Sequence, residues 1–236
     1  MSKFKPPSPP YVGPPNRHGG TGNKPINRIV IHCTAGAEPG VKGAARGIGR
    51  YFQTTDRAAS GHYAADSRES VQCAWDSVVC YHAPPNGNSI GYELCCSLAN
   101  QGKGHWARGD HQSMLGIAAK DIAALCLAYG VPVTRLSGKQ LRAGRRGICG
   151  HSDVRDAWRQ TTHWDPGPHF PWRKFLRLVR REVAALTAEP AKPPAKPKVY
   201  RFPKVRADLR KIRAGTKDPK RKGFVNRILA TIRKGY

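Results

Sequence analysis

The sequence contains no long hydrophobic run. Its first residues, MSKFKPPSPP, lack the apolar segment that forms the centre of a signal peptide. Nowhere do about 18 apolar residues follow one another, which is roughly the length that a transmembrane helix needs. We therefore expect neither a signal peptide nor a membrane span, and we expect the chain to be made in the cytoplasm.

Acidic residues are scarce. The 236 residues include 15 Asp and Glu against 41 Lys and Arg, which gives a net charge of +26. This excess predicts a polyanionic partner, which could be nucleic acid, anionic lipid or an anionic wall polymer, and charge alone does not choose among them. The sequence has no helix-turn-helix or aromatic RNA-binding signature, so it offers no dedicated nucleic-acid motif.

The seven cysteines form no Cys-x-x-Cys pair. The sequence therefore predicts neither a disulfide framework nor a cysteine-ligated zinc cluster. We expect most of these residues, including Cys33 and Cys149, to be buried thiols. Cys73 and Cys80 could pair across a hairpin, but their spacing alone does not establish the geometry of a bond.

Composition divides the chain into four parts. Residues 1–26 are rich in Pro and Gly and predict a flexible arm. Residues 27–188 have the length of one enzyme domain, and residues 189–198 form a Pro/Lys linker. Residues 199–236 form a basic tail with apolar residues for one or two short helices. From residue 190 onwards the chain has 16 basic and 2 acidic side chains, a net charge of +14.

Apolar periodicity predicts an α/β domain with a mixed central β-sheet flanked by helices. The predicted strands are Arg28–His32, the hairpin His62–Ala65 and Ser70–Ala74, the central strand Asn88–Cys96, and a strand that ends at His151. The predicted helices are Val41–Gln53, His111–Tyr129 and Trp172–Leu186.

Two strand ends and one rigid turn suggest a metal site. His32 and His151 each end an apolar run, and α/β folds place their chemistry at such strand ends. Asp165 precedes Pro166 and Gly167, which fix a turn. Two histidines and a carboxylate, with a fourth position open to water, are the ligands of a catalytic zinc site. Each residue alone also has a structural explanation, as a hydrogen-bonded strand histidine or a turn-forming aspartate.

Several motifs occur together and in order: Ile29-Val30-Ile31-His32-Cys33-Thr34-Ala35, Ser60-Gly61-His62-Tyr63, His82, Asn88-Ser89-Ile90-Gly91-Tyr92-Glu93, Gly150-His151-Ser152-Asp153 and Asp165-Pro166-Gly167-Pro168. In this combination the chain resembles the type 2 N-acetylmuramoyl-L-alanine amidases, a family that includes phage endolysins, bacterial amidases and peptidoglycan recognition proteins. The resemblance spans roughly Asn27 to Arg181. It implies that His32, His151 and Asp165 bind Zn2+.

The resemblance also implies catalytic roles. Glu93 stands where bacterial members carry a catalytic glutamate, although it could instead be a strand glutamate paired with an arginine. His163 stands where many relatives have a lysine that stabilises the oxyanion. This is a departure, because histidine is only partly charged at pH 7. Gly61 replaces a catalytic tyrosine of some phage members, which leaves more of the chemistry to Glu93.

The other histidines are less clearly placed. His62 and His82 match family positions near the substrate groove, where substrate contact and a structural role both remain open. We interpret His105 and His111 as surface residues.

The resemblance implies a zinc-dependent peptidoglycan hydrolase that cuts the amide between N-acetylmuramic acid and L-alanine, acting as a phage endolysin. We expect a monomer, made in the host cytoplasm without a signal peptide, that acts on the bacterial cell wall. Its tail would bind an anionic wall polymer or membrane surface. The alternatives are a non-catalytic peptidoglycan-binding protein of the same fold, a nucleic-acid-binding protein acting through the tail, and a cytoplasmic recycling amidase.

Overall fold

The computed structural model describes residues 2–97, 102, 104–188 and 203–234. The chain divides into two compact units, Met1–Ala188 and Glu189–Tyr236. The linker predicted at residues 189–198 lies outside the described residues.

The strands of the first unit are β1 (His18–Thr21), β2 (Arg28–Cys33), β3 (Tyr63–Ala65), β4 (Ser70–Gln72), β5 (Val78–Cys80), β6 (Ser89–Leu94) and β7 (Gly147–Gly150). Its helices are α1 (Ala44–Thr54), α2 (Gly109–Tyr129), α3 (Gly138–Arg142), α4 (His151–Trp158) and α5 (Trp172–Thr187), and a 3-10 helix spans His105–Ala107.

A mixed sheet with the strand order β4-β3-β6-β2-β7 forms the centre of this unit. Strands β3, β6, β2 and β7 run parallel, and β4 pairs with β3 in the antiparallel direction. Every residue of β2 and β6 is buried, as is typical of central parallel strands covered on both faces. The predicted mixed sheet flanked by helices is confirmed.

Successive residues of β2 face opposite sides of the sheet. Ile29 and Ile31 belong to the larger apolar core, to which α2 and α5 contribute. Val30 belongs to a smaller core with Leu136 and Val154. Because His32 has the same parity as Val30, it projects from the smaller-core face, near the carboxyl end of the strand.

The segment predicted as a flexible arm is partly built into the fold, which corrects that prediction. Strand β1 pairs with β5. The buried Asn23 donates a hydrogen bond of 2.7 Å to the Ser89 carbonyl, and the Val12 amide donates to the Gln72 carbonyl at 3.0 Å. Hydrogen bonds hold these residues in place, and such bonds leave no apolar periodicity in the sequence. A composition rich in Pro and Gly therefore did not reveal this part of the fold.

A disulfide joins Cys33 and Cys96, with Cα atoms 5.7 Å apart. The expectation that Cys33 is a thiol is therefore wrong. The two residues lie beyond the paired carboxyl ends of β2 and β6, a proximity that comes from strand pairing and that a separation of 63 residues does not reveal. Cys73 and Cys80, the pair considered from the sequence, are buried free thiols, and so is Cys149.

The second unit consists of α6 (Pro203–Gly215) and α7 (Pro219–Lys234), which pack against each other. They agree with the expectation of short basic helices in the tail. Among the described residues of both units, no helix combines the length and apolar character needed to cross a bilayer.

Candidate active site

Three buried side chains from distant parts of the sequence meet at the carboxyl ends of β2 and β7. His32 lies near the end of β2, and His151 begins α4 directly after β7, where the sequence predicted the end of a strand. His32 Nδ1 lies 3.1 Å from one carboxylate oxygen of Asp165, and His151 Nδ1 lies 3.2 Å from the other. The structure therefore brings together the three residues that the sequence proposed as metal ligands.

The spacing of these atoms suits a tetrahedral ion. Ligand atoms about 2.0–2.1 Å from a zinc ion lie about 3.3 Å apart at the corners of a tetrahedron. The observed separations of 3.1 and 3.2 Å are close to that value, and one nitrogen or oxygen atom from each residue lies within 4.8 Å of the others. The group is able to hold a metal ion.

Close packing fixes Asp165 in place. Its carboxylate accepts a hydrogen bond from the Cys33 amide at 3.3 Å, and its carbonyl accepts one from the Ser152 amide at 3.1 Å. A Cβ atom added to Gly150 would lie only 2.8 Å from Pro166 Cδ. Glycine at position 150 therefore lets the Asp-Pro turn pack directly against the end of β7.

A chain of hydrogen bonds orients His32. Ser89 Oγ donates to the Asn86 carbonyl at 2.6 Å, which leaves this hydroxyl oxygen to accept from His82 Nε2 at 3.0 Å. His82 Nδ1 is then the acceptor for His32 Nε2, 3.1 Å away. Because Nε2 keeps its proton on His82, Nδ1 is the nitrogen that faces Asp165 and would give up its proton when a cation binds. A ring nitrogen and a carboxylate oxygen that face each other in this way can bind a cation between them.

Electrostatics agree with this arrangement. Burial raises the pKa of Asp165, but hydrogen bonds from histidines, of which that from His151 is the strongest, hold it well below its usual range. Burial and the neighbouring His32 keep the pKa of His82 well below its usual range, so that ring is neutral. Burial lowers the pKa of His32, but Glu93 and Asp165 outweigh burial and raise it. The buried cluster thus contains an ionised carboxylate that favours a cation.

Glu93 lies in the same cleft and is 9% exposed. Burial raises the pKa of its carboxyl group to about 7. A Cβ added to Gly61 would lie 3.4 Å from Glu93 Oε1, so a larger residue at position 61 would contact this carboxyl group. A carboxyl group with a pKa near neutrality can both accept and release a proton at physiological pH.

His163 lies at the solvent side of the cluster, with its side chain 67% exposed. Its ring stacks on His151 at a centroid distance of 4.7 Å, and its Nδ1 lies 3.7 Å from Asp165. Asp165 raises the pKa of His163, which increases the fraction of positively charged imidazole at neutral pH.

An open cleft of about 710 Å³ contains these groups. Its wall includes His32, His82, Glu93, His151, His163 and Asp165. Tyr51 and Arg57, which also line it, were not identified from the sequence. They lie at the end of α1 and in the loop after it, and their sequence context gives no motif by which to recognise them.

His62 and His111 are both buried, which corrects the interpretation of His111 as a surface residue. His62 is fully buried, with Nε2 2.9 Å from the Val78 carbonyl and Nδ1 accepting from the Gly91 amide at 3.0 Å. These contacts favour the structural role that the sequence left open for His62 over a substrate contact. His111, interpreted as a surface residue, is completely buried beside His105.

Comparisons with known proteins agree with this geometry. The family model described as N-acetylmuramoyl-L-alanine amidase matches residues 22–168. The chain matches none of the curated proteins. Among solved structures, the hydrolase AmiA of Staphylococcus aureus in complex with its ligand is similar, with a TM-score of 0.58 and 15% identity, over 78% of this chain and 86% of that one. A mutant endolysin from Bacillus subtilis has a TM-score of 0.50 and 21% identity, over 70% of this chain and 92% of that one.

At 15% and 21% identity, the likeness to these two solved structures shows the fold alone. The family model covers more than half of the chain and includes all seven residues that the sequence proposed for the site. The chain belongs to the N-acetylmuramoyl-L-alanine amidase family.

Proposed function

We propose that this protein is a zinc-dependent peptidoglycan hydrolase that cleaves the amide between the lactyl group of N-acetylmuramic acid and L-alanine. The observation that carries the proposal is the meeting of His32, His151 and Asp165 at ligand spacing, with His82 orienting His32. A complete ligand set also favours an enzyme over a non-catalytic wall-binding protein of the same fold.

His32, His151 and Asp165 would hold the zinc ion. When bound, zinc supplies Lewis acidity toward the amide carbonyl and toward water. The protein holds these ligands on two strand ends and a rigid turn, so little reorganisation is needed on binding. His82 and Ser89 act behind His32: they hold the proton of its Nε2, so that its Nδ1 is the nitrogen aimed at the ion.

Glu93 is the proposed general base and acid. Water adds to the lactyl carbonyl carbon and gives a proton to Glu93, and the carbon–nitrogen bond then breaks. Glu93 returns the proton to the departing L-alanine nitrogen, so that the products are a free amine and a lactyl carboxylic acid, which gives its own proton to the solvent and becomes a carboxylate. The pKa of about 7 supports this role, because the transfer and return of a proton are then nearly balanced at neutral pH.

His163 is proposed to stabilise the negative charge that develops on the carbonyl oxygen. Its exposed ring stacks on His151 at the solvent side of the cleft, and Asp165 raises its pKa. A positively charged imidazole can donate a strong hydrogen bond to an oxyanion. This is the task that the family resemblance gives to a lysine at this position.

The tail is proposed to hold the enzyme on an anionic surface of the cell envelope. Residues 190–236 carry 16 basic and 2 acidic side chains. Within α6 and α7, Val205, Ile212 and Phe224 are exposed among these charges, a combination that suits a wall polymer or membrane surface. Together with the endolysin resemblance, this supports a role in phage-driven lysis, with synthesis in the host cytoplasm and action at the wall.

The test uses purified cell walls. Clearing of a wall suspension should stop when a chelator removes zinc and resume when zinc is added back, and free L-alanine amino ends should appear with the same time course. A protein that binds walls without producing any new amine would be the non-catalytic member of the fold, and the proposal would be wrong.

A further inference from the structure

A second cluster of metal-type side chains lies outside the cleft. Glu38 follows β2 in a loop, His105 begins the 3-10 helix, and His111 lies in the first turn of α2. One nitrogen or oxygen atom from each lies within 4.8 Å of the other two. As far as the described residues define the cleft, these three residues are not part of its wall.

The distances in this cluster resemble those of a ligand set. His111 Nε2 lies 3.0 Å from His105 Nε2 and 3.7 Å from Glu38 Oε2. These values lie on either side of the separation of about 3.3 Å between ligands of a tetrahedral zinc ion. The His111 side chain is fully buried, whereas that of Glu38 is 30% exposed, so the cluster is closed on the protein side and reachable from solvent.

Asp110 orients His111 toward the other two residues. Asp110 Oδ1 accepts from the His111 backbone amide at 2.9 Å and lies 3.0 Å from His111 Nδ1. Since Nδ1 donates its proton to this carboxylate, Nε2 carries a lone pair directed at His105 and Glu38. Metal-binding histidines characteristically donate their other ring proton to a carboxylate or carbonyl.

Two groups hold Glu38 in place, and one of them, the Arg108 guanidinium, competes with a metal ion for its carboxylate. Its Oε1 accepts from the Ser97 amide at 3.0 Å, and its Oε2 accepts from Arg108 at 3.0 Å. Arg108 also reaches Asp110 Oδ2 at 3.0 Å. The Arg108 side chain is 53% exposed and can turn into solvent, but its positive charge opposes cation binding while it remains.

We propose that Glu38, His105 and His111 form a second binding site for a divalent transition-metal ion, for which zinc is the test ion. Two imidazole nitrogens and one carboxylate oxygen are ligands that suit zinc, copper or nickel, and the exposed side leaves a position for water. The bound ion would join the loop that leaves β2 to the start of α2. It would therefore stabilise the fold without taking part in catalysis.

The competing explanation is a hydrogen bond from His105 Nε2 to His111 Nε2 with no metal. It accounts for the distance of 3.0 Å and predicts that zinc does not bind here. Metal stoichiometry distinguishes the two explanations, and the two sites can be removed separately because they share no residue.

The experiment uses full-length, untagged protein stripped with a chelator and titrated with zinc alone. We expect about two zinc ions per chain in the wild type, and about one each in His32→Ala/His151→Ala and in Glu38→Gln/His105→Gln. Glu38 and His105 are only partly buried, so their substitution should leave the circular dichroism spectrum unchanged. In the His32→Ala/His151→Ala background, added zinc should raise the unfolding temperature, since the ion binds the folded state.

Two further variants make the test specific to this geometry. Asp110→Asn should weaken binding at the second site by about 10–100-fold, as expected when the carboxylate behind a ligand histidine is lost. Arg108→Gln should strengthen it. If His32→Ala/His151→Ala binds no zinc, the second site does not exist. The same conclusion follows if it binds one ion that remains when Glu38→Gln/His105→Gln is added to the same chain. Neither result would bear on the amidase proposal.

Discussion

His32 and Glu93 occupy paired positions on the adjacent parallel strands β2 and β6. Paired residues of parallel strands project from the same face of the sheet. The neighbours Ile31 and Tyr92 face the opposite side and lie in the larger apolar core. The proposed ligand and the proposed general base are therefore positioned by two central strands, β2 and β6, whose residues are all buried.

The metal set gives the first prediction. His32→Ala and His151→Ala should each abolish zinc binding at the active site, because a three-ligand site does not tolerate the loss of a histidine. The exposed His169 provides the matched control, and His169→Ala should retain the wild-type zinc content. Metal analysis after gel filtration measures this. An active-site zinc that persists in both ligand variants would exclude these residues as ligands.

The second prediction concerns catalysis. Glu93→Gln should retain zinc and the fold but hydrolyse walls at least about 100-fold more slowly, the usual contribution of a general base. Glu182→Gln, in α5 and paired with Arg181 outside the cleft wall that the described residues form, should hydrolyse walls at the wild-type rate. If Glu93→Gln keeps the full rate, proton transfer must be assigned to another group.

The third prediction is a pH dependence of stability in the metal-stripped protein. Burial raises the pKa of Glu93 to about 7 in the folded chain, against about 4.3 in an unfolded chain. The folded state binds this proton more tightly, so the stabilising contribution is complete below about pH 4 and is lost as the pH rises toward 7. Glu93→Gln cannot ionise.

Urea unfolding at several pH values measures the difference. The free energy of unfolding of wild type, compared with that of Glu93→Gln at the same pH, should fall between about pH 4.5 and pH 7. A constant difference over this interval would show that the carboxyl group is not raised in pKa by burial.

The fourth prediction tests the hydrogen-bond chain behind His32. His82→Ala should weaken zinc binding at the active site by about 10–100-fold, since His32 then loses the acceptor that fixes its protonated nitrogen. Competition with a chromophoric chelator measures the affinity, and the unfolding temperature at saturating zinc controls for loss of fold. Wild-type affinity in this variant would mean that His82 does not position the ligand.

The fifth prediction concerns the tail. Removing residues 190–236 should leave hydrolysis of a small soluble muropeptide nearly unchanged and weaken binding to whole walls. Added salt should weaken wall binding of the intact protein similarly, because charges are screened beyond about 8 Å at physiological ionic strength. A full-length variant with Lys and Arg of α6 and α7 replaced by Gln separates the effect of charge from that of chain length. Undiminished wall binding at low salt in both variants would contradict the tether.

The sequence predicted the strands and helices that position the site because their signals are local. The apolar residues of β2 stop near His32, and the Pro-Gly turn follows Asp165 directly. The motif order then indicated the family, and with it the set of ligands. Periodicity alone was sufficient for the sheet and for α2.

What the sequence did not reveal depends on contacts between distant segments. The link from Ser89 through His82 to His32 requires the folded positions of three segments, and so does the disulfide of Cys33 with Cys96. His62 resembled a groove residue in sequence, but its two ring nitrogens are used by backbone groups. In each case, the partner of a side chain is determined by strand pairing and not by spacing along the chain.

The most direct test of the central claim is to hydrolyse purified peptidoglycan with the zinc-loaded protein in water enriched in oxygen-18. The soluble products are then released with a muramidase in ordinary water and analysed by mass spectrometry. The account predicts one labelled oxygen in the lactyl carboxylate of N-acetylmuramic acid and an unlabelled stem peptide with a free L-alanine amine. Label in a carboxylate within the stem peptide, or at the reducing carbon of a sugar, would show that a different bond is cut and would contradict the account.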